Sequence, residues 1–134
     1  MHAATLLPDG RVLVVGGGGV EDDLPAAVEV WDPATASFGH AGSLTEARID
    51  HTATLLPDGR VVIIGGVVYY WEDRLASAEV WDPVTASFGR AGSLTAGRSD
   101  HTATLLPDGR ILVVGGYDEE FGRLASAEVW VPAE

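Results

Sequence analysis

Three histidines occupy corresponding places in near-identical stretches of the sequence. His51 and His101 each follow an aspartate, Asp50 and Asp100, and His2 takes the same place near the start of the chain. Neutral imidazole and carboxylate groups are ligands for zinc and manganese in proteins. If the five residues lay at one level around an axis, they would hold a divalent metal. That metal would activate water for the hydrolysis of a phosphate or carboxylic ester.

A second set of residues combines aromatic and acidic side chains. Tyr69, Tyr70 and Trp71 lie in one such segment, and Tyr117 and Phe121 lie in another. The neighbouring acidic residues are Glu72, Asp73, Asp118 and Glu119. Such surfaces suit basic or sugar-like ligands and protein hot spots. The alternative is that some of these aromatic side chains only pack their loops onto the rest of the fold.

Several other chemistries are excluded by residue type. The chain has no cysteine, so it has neither a thiol nucleophile nor a thiolate metal site. No Gly-x-Ser-x-Gly segment occurs, and the glycine run at 16–19 lacks the lysine and Ser/Thr of a phosphate-binding loop. The remaining classes are binding, assembly and metal-dependent chemistry, with no cofactor indicated other than zinc or manganese.

The charge of the chain limits its partners. Formal net charge is −12, and every basic residue is an arginine. A surface of this sign repels nucleic acid and anionic membranes, so we expect neither as a partner. The N-terminal residues lack the basic and apolar regions of a secretory signal, and the longest apolar run is too short to cross a bilayer. We expect a soluble protein and leave its compartment open.

The elements that would position these residues come as repeats. The phrase Leu-Leu-Pro-Asp-Gly-Arg begins at Leu6, Leu55 and Leu105, and a Gly-Gly pair follows each copy. Each unit predicts four short strands: one ending in Leu-Leu, an apolar run such as Val61–Ile64, one ending at Trp81, and one near 87–91. Continuous β-branched residues in the second strand predict burial on both of its faces.

The string from Arg48 to Gly66, followed by Ala-Glu-Val-Trp-Asp-Pro, resembles the kelch motif in its galactose-oxidase-like form. The resemblance implies an all-β fold of propeller blades, each a four-stranded antiparallel sheet. It divides the chain into blade 1 at 1–45, blade 2 at 46–95 and blade 3 at 96–134, the last without its outer strand. Galactose oxidase chemistry is not implied, because it needs a cysteine.

Three blades are too few for a ring, so we expect two copies to pair as a homodimer with six blades. A monomer with open ends is the alternative. The resemblance also implies that the histidine of each unit packs between blades, and that the loops carrying the aromatic residues lie on one face. The arginine before each histidine would pair with a glutamate such as Glu29, Glu79 or Glu128.

These observations leave three functions open. The first is a binding module that displays loops to a protein or small-molecule ligand on one face of the paired ring. The second is the metal-dependent hydrolase. The third is an assembly fragment that has no present function.

Overall fold

The computed structural model describes residues 2–16, 27–68, 74–118 and 122–132. In these ranges the chain is all β, with antiparallel sheets and no helix. It therefore contains no helix there that is long and apolar enough to cross a membrane. The sheets are compatible with propeller blades, and we number them as blades 1 to 3 in chain order.

Blades 1 and 2 are four-stranded sheets with strands in sequence order. Blade 1 consists of β1 (His2–Leu6), β2 (Val12–Gly16), β3 (Ala27–Asp32) and β4 (Ser37–Ser43). Blade 2 consists of β5 (Thr52–Leu55), β6 (Val61–Ile64), β7 (Ser77–Asp82) and β8 (Ser87–Ser93). The predicted strands of these units are confirmed.

Blade 3 has three strands among the described residues, with β10 in the centre. They are β9 (Thr102–Leu105), β10 (Ile111–Val114) and β13 (Ala127–Trp130). The connection between β10 and β13 contains a short hairpin, β11 (Tyr117–Asp118) and β12 (Gly122–Arg123). The sequence predicted only a loop there, because two-residue strands leave too short a pattern to detect.

A repeated turn joins the first two strands of every blade. In blade 2, the Gly59 amide donates to the Leu56 carbonyl at 3.0 Å, and Gly59 has φ +91°. Asp58 accepts hydrogen bonds from the backbone and side-chain nitrogens of Arg60 at 3.1 and 2.8 Å. Glycine adopts positive φ without strain, and aspartate stabilises the turn through its side chain. The turn therefore fixes the register of each hairpin locally.

The core lies between the blades. In the first junction, blade 1 places Leu13 and Val15 against Val61 and Ile63 of blade 2. In the second junction, Val62 and Ile64 of blade 2 lie in one cluster with Ile111 and Val113 of blade 3. Successive residues of a strand point to opposite faces. For this reason all four residues of β6 are buried, as the sequence predicted.

A tryptophan closes the outer part of each junction. The indole nitrogen of Trp81 donates to the Ala41 carbonyl at 2.9 Å, and that of Trp130 donates to the Ala91 carbonyl at 2.7 Å. Both rings are almost fully buried. Trp31, the equivalent residue of blade 1, is only half-buried. The difference arises because no described blade precedes blade 1.

Candidate functional site

The Arg-x-Asp-His segments form the entry to β5 and to β9. Backbone bridges join Ile49 to Val67 and Ser99 to Tyr117, which ties each segment to the residues that follow the second strand of its blade. Asp50 and Asp100 adopt the left-handed conformation, with φ 55° and 54°. Aspartate tolerates this region better than most residues. The repeated sequence thus produces the same sharp turn at both places.

Arg48 is the centre of a buried hydrogen-bond network in blade 2. Its side chain is fully buried and donates to the Gly65 carbonyl, the Ser77 carbonyl and hydroxyl, and the Glu79 carboxylate, all at 2.9–3.0 Å. Burial lowers the pKa of Arg48, while the carboxylates of Glu79 and Glu46 oppose that shift. The predicted arginine–glutamate pairing is confirmed here.

Arg98 repeats this network in blade 3. It donates to the Gly115 carbonyl, the Ser126 carbonyl and hydroxyl, and the Glu128 carboxylate at 2.9–3.2 Å. Burial raises the pKa of Glu128, but hydrogen bonds from Thr95, Ala96 and Arg98 outweigh it and leave that pKa lowered. Each arginine therefore fastens the segment before its own blade to the end of the second strand and the start of the third strand of that blade.

Two of the three candidate metal-ligand histidines, His51 and His101, are described with their side chains, and both pack across the junctions. The Nε2 atom of His51 lies 3.1 Å from the Val15 carbonyl of blade 1, and Nε2 of His101 lies 3.0 Å from the Thr52 hydroxyl of blade 2. Burial, then the nearby guanidinium of Arg48 or Arg98, lowers both pKa values to about 4. Both rings are therefore neutral at pH 7, and they fill the inter-blade role that the resemblance implied.

The first glycine of the Gly-Gly pair makes room for the histidine of the next blade. A Cβ atom on Gly16 would lie 2.5 Å from Cε1 of His51, and one on Gly65 would lie 2.7 Å from Cε1 of His101. The corresponding Gly115 has only one neighbour at 3.5 Å, the Leu124 carbonyl, since no described blade follows blade 3. The repeated glycine thus makes room at the two junctions, and its φ of 76°, 70° and 68° favours glycine within each blade as well.

The predicted metal ligands are partly brought together. The Asp100 amide donates to the Asp50 carbonyl at 3.0 Å, so the two turns are adjacent. Asp50 is buried and Asp100 is exposed. The backbone of His2 lies in β1 opposite Gly16, and its side chain is outside the described part. Within the described ranges, no three His, Asp or Glu side chains are grouped to hold a metal. The zinc or manganese site stays a prediction.

The predicted ligand loops are described only in part. Tyr117 and Asp118 form β11, whereas Tyr69, Tyr70, Trp71, Glu72, Asp73, Glu119 and Phe121 lie outside the described residues. The guanidinium of Arg74 lies 4.8 Å from the centre of the Tyr117 ring, and Arg74 Nε donates to the Ser99 hydroxyl at 3.1 Å. A cation over an aromatic face is attracted to its quadrupole. This contact joins a loop of blade 2 to a loop of blade 3.

An open cleft of about 570 Å³ lies beside this contact. Its lining residues are Arg74, Asp100, Gly116, Tyr117, Arg123 and Leu124. The second-to-third-strand loops and the first-strand entry therefore meet on one face, as the resemblance implied. The sequence analysis missed Arg74 and Arg123 as site residues, although each begins an Arg-Leu-Ala-Ser segment at the end of its loop. The repeated segment indicates that the two arginines occupy equivalent positions at the end of these loops.

No family model and no curated protein matches the chain.

Proposed function

We propose that this chain is a kelch-type binding module in which two copies pair through their open end blades, closing a six-bladed ring with ligand loops on one face. The observation that carries the proposal is the chemistry of the two end faces. They consist of the same kinds of residue, in the same register, as the two sides of the junctions inside the chain.

The first junction defines the two sides. We call the face of a blade that packs against the next blade in the chain its following side, and the opposite face its preceding side. Blade 1 contributes Leu13, Val15 and Val30 from its following side, and blade 2 contributes Val61 and Ile63 from its preceding side. In strand register, Val12 and Val14 of blade 1 correspond to Val61 and Ile63, since Val12 opposes Trp31 as Val61 opposes Trp81. Blade 1 therefore carries an unused preceding side, whose two valines are only half-buried.

Blade 3 carries the opposite unused side. Leu112, Val114 and Val129 occupy the register positions of Val62, Ile64 and Val80, which face the second junction in blade 2. In blade 3, Val114 is 40% exposed and Val129 is 42% exposed. A following side on one chain and a preceding side on another form a head-to-tail contact. Made twice with two-fold symmetry, that contact closes a ring.

The loop face supports the binding role. The cleft beside Arg74 and Tyr117 collects residues from two blades and offers aromatic, cationic and carboxylate groups within one opening. Variable loops on a repeated scaffold are common places for recognition. We expect a triple Tyr69→Ala, Tyr70→Ala and Trp71→Ala variant to keep its assembly. It should lose binding in a panel of basic peptides and oligosaccharides.

Native mass spectrometry of the protein without added metal tests the ring. We expect twice the chain mass of 14.0 kDa. Both Val14→Asp and Val114→Asp should reduce the dimer, because every closing junction uses one surface of each kind. Val84→Asp is the matched control, because Val84 is 90% exposed in a turn. A wild-type monomer at high micromolar concentration would overturn the ring.

The two aspartate variants also identify the pairing mode. If blade 1 faces paired with each other, Val14→Asp alone would abolish the dimer and Val114→Asp would be silent. In the head-to-tail ring, mixing the two variants restores one native junction per dimer. A mixed dimer more stable than either variant dimer is therefore the expected result.

A further inference from the structure

Each junction between blades contains a groove at the end of the blades that carries the Pro-Asp-Gly turns. In blade 1, Val12 opposes Trp31, so the flanking residues Arg11 and Asp32 meet at this end of the sheet. The groove between blades 1 and 2 has a volume of about 260 Å³, and its walls belong to two blades whose four strands are all described. The groove between blades 2 and 3 measures about 320 Å³. The first groove is lined by Arg11, Val30, Asp32, Gly39 and Trp81, and the equivalent residues line the second. We call the two openings the junction grooves.

A strand glycine opens each junction groove. Gly39 of β4 opposes Val30, and its φ lies outside the left-handed region. A Cβ atom on Gly39 would have no heavy atom within 4 Å, and the same holds for Gly89 in β8. Neither the backbone conformation nor the packing within the chain therefore requires glycine at these positions. Glycine inside a strand weakens it and often marks the close approach of a ligand, so the space beside both glycines suits a molecule that lies against the strand.

Two opposite charges line the first groove. Arg11 uses its Nε atom in a hydrogen bond of 2.7 Å to Asp9, and Asp32 accepts the Ala34 amide at 2.9 Å through Oδ1. Among the described residues these are the only hydrogen bonds of the two side chains. The other guanidinium nitrogens and the second carboxylate oxygen can therefore contact a ligand. The second groove repeats both contacts.

Hydroxyl and apolar groups complete the lining. The side-chain oxygens of Thr35 and Ser37 lie 2.7 Å apart in the first groove, and those of Thr85 and Ser87 lie 2.7 Å apart in the second. The buried ring of Trp81 adds an apolar wall to the first groove. A few polar groups on an otherwise apolar surface are typical of small-molecule sites.

We infer that each junction groove binds one neutral sugar unit. The hydroxyl groups of a sugar donate to the Asp32 carboxylate and accept from the Arg11 guanidinium, whereas an anion is repelled by the first and a cation by the second. The C–H groups of the sugar ring lie against Val30 and the backbone of Gly39. A volume of about 260 Å³ lies at the small end of ligand sites, which limits the ligand to a single unit, free or at the end of a glycan. The site is distinct from the loop face and does not depend on ring closure.

Saturation-transfer NMR on the full chain tests the sugar class. The probes are the methyl glycosides of glucose, galactose and mannose, beside the anionic methyl glucuronide and the cationic methyl glucosaminide. We expect at least one neutral glycoside to bind, and to bind more tightly than either charged probe. Saturation transfer to none of the neutral glycosides, or tighter binding of a charged probe, would overturn the inference. Disaccharides that end in the bound unit distinguish the source, because a gain over the methyl glycoside indicates a glycan and equal affinity indicates a free sugar.

Filling both grooves tests their location. Gly39→Val combined with Gly89→Val introduces a β-branched side chain, which strands favour, where the Cβ has no neighbour within 4 Å. The double variant should keep or raise the urea midpoint of unfolding, while its sugar affinity falls by about tenfold or more. Ser43→Val, at an exposed position of the same strand outside the groove, is the matched control and should bind normally. Retained affinity or a lower unfolding midpoint in the double variant would show that the glycines serve the fold and contradict the inference.

Charge removal tests the polar contacts separately. Asp32→Asn combined with Asp82→Asn keeps an Oδ1 acceptor for each turn, so the variant should fold normally. It should bind the sugar about tenfold less tightly, because hydrogen bonds to a charged acceptor are lost, and unchanged affinity would count against the site. The variant with Tyr69→Ala, Tyr70→Ala and Trp71→Ala should still bind the methyl glycosides. Loss of sugar binding there would place the sugar on the loop face and overturn the junction grooves. The mass of the protein and the ligand of the loop face are measured separately, so either proposal can fail alone.

Discussion

Blades 2 and 3 contain nearly the same second strand, yet the two strands differ in burial. Val61–Ile64 of blade 2 are all 0% exposed, whereas in blade 3 Ile111 and Val113 are 0% exposed and Val114 is 40% exposed. Among the described residues, blade 2 has a neighbouring blade on each face, whereas blade 3 has one on a single face. The burial of a repeated strand is therefore determined by its neighbours more than by its own sequence.

The same contrast affects the ion pairs. The side chain of Glu79 is 1% exposed, and that of Glu128 is 15% exposed. In blade 2 the strand of Glu79 is covered by β8, whereas β13 pairs only with β10 among the described residues. Equivalent hydrogen bonds to the two glutamates are therefore less exposed to water in blade 2 than in blade 3. The following substitutions measure how much that environment matters.

Arg48→Gln should have the largest effect. It leaves the buried Glu79 carboxylate without its cation, which costs about 3–5 kcal/mol of the free energy of unfolding. Arg98→Gln should cost about 1–3 kcal/mol, because water reaches Glu128. Urea unfolding followed by tryptophan fluorescence measures both. Arg60→Gln is the control, since Arg60 pairs with exposed Asp58. Equal losses for Arg48 and Arg98 would contradict the contrast between the blades.

Valine-to-alanine substitutions test the apolar part of the comparison. Val61→Ala removes two methyl groups from a fully buried position and should cost about 2 kcal/mol. Val12→Ala removes the same groups from the half-buried equivalent position and should cost less than about 1 kcal/mol in dilute protein. At higher concentration, the proposed ring buries Val12, so the cost of Val12→Ala should rise. A concentration-independent cost would argue against the ring.

The sequence predicted much of the fold because the repeat places strong local signals at fixed positions. The Pro-Asp-Gly turns set the hairpins, and the unbroken apolar run of β6 indicated burial on both faces. The pairing of Arg48 and Arg98 with glutamates was also predictable, since these residues recur together. Each of these features depends on residues that are close in sequence or repeated in every unit.

The candidate site was harder to predict because it depends on contacts between units. The stacking of Arg74 on Tyr117 joins two blades, and a sequence pattern within one blade does not report it. The orientation of His51 and His101 also depends on neighbours, because each ring binds an atom of the preceding blade. Residue type alone suggested metal ligands, which stay a prediction, and it did not give the orientation of either ring.

The histidines make the stability of both junctions depend on pH. Their pKa values fall from 6.5 to about 4 on folding, so the unfolded chain binds more protons than the folded chain between these values. Stability is therefore complete above about pH 6.5 and decreases as pH falls, by roughly 1 kcal/mol per pH unit for each histidine. Denaturant unfolding at pH 5.0–6.5 measures this slope. His51→Gln should remove about half of it, and an unchanged slope would show that other groups are responsible.

The smallest effect should come from single indole hydrogen bonds. Trp81→Phe keeps an aromatic ring but leaves the Ala41 carbonyl without its donor, which should cost about 1 kcal/mol. Trp31→Phe should cost less than about 0.5 kcal/mol, since no described residue accepts from that indole. Urea unfolding measures both variants, and equal losses for Trp81→Phe and Trp31→Phe would contradict the difference between a blade with a described neighbour on that face and one without.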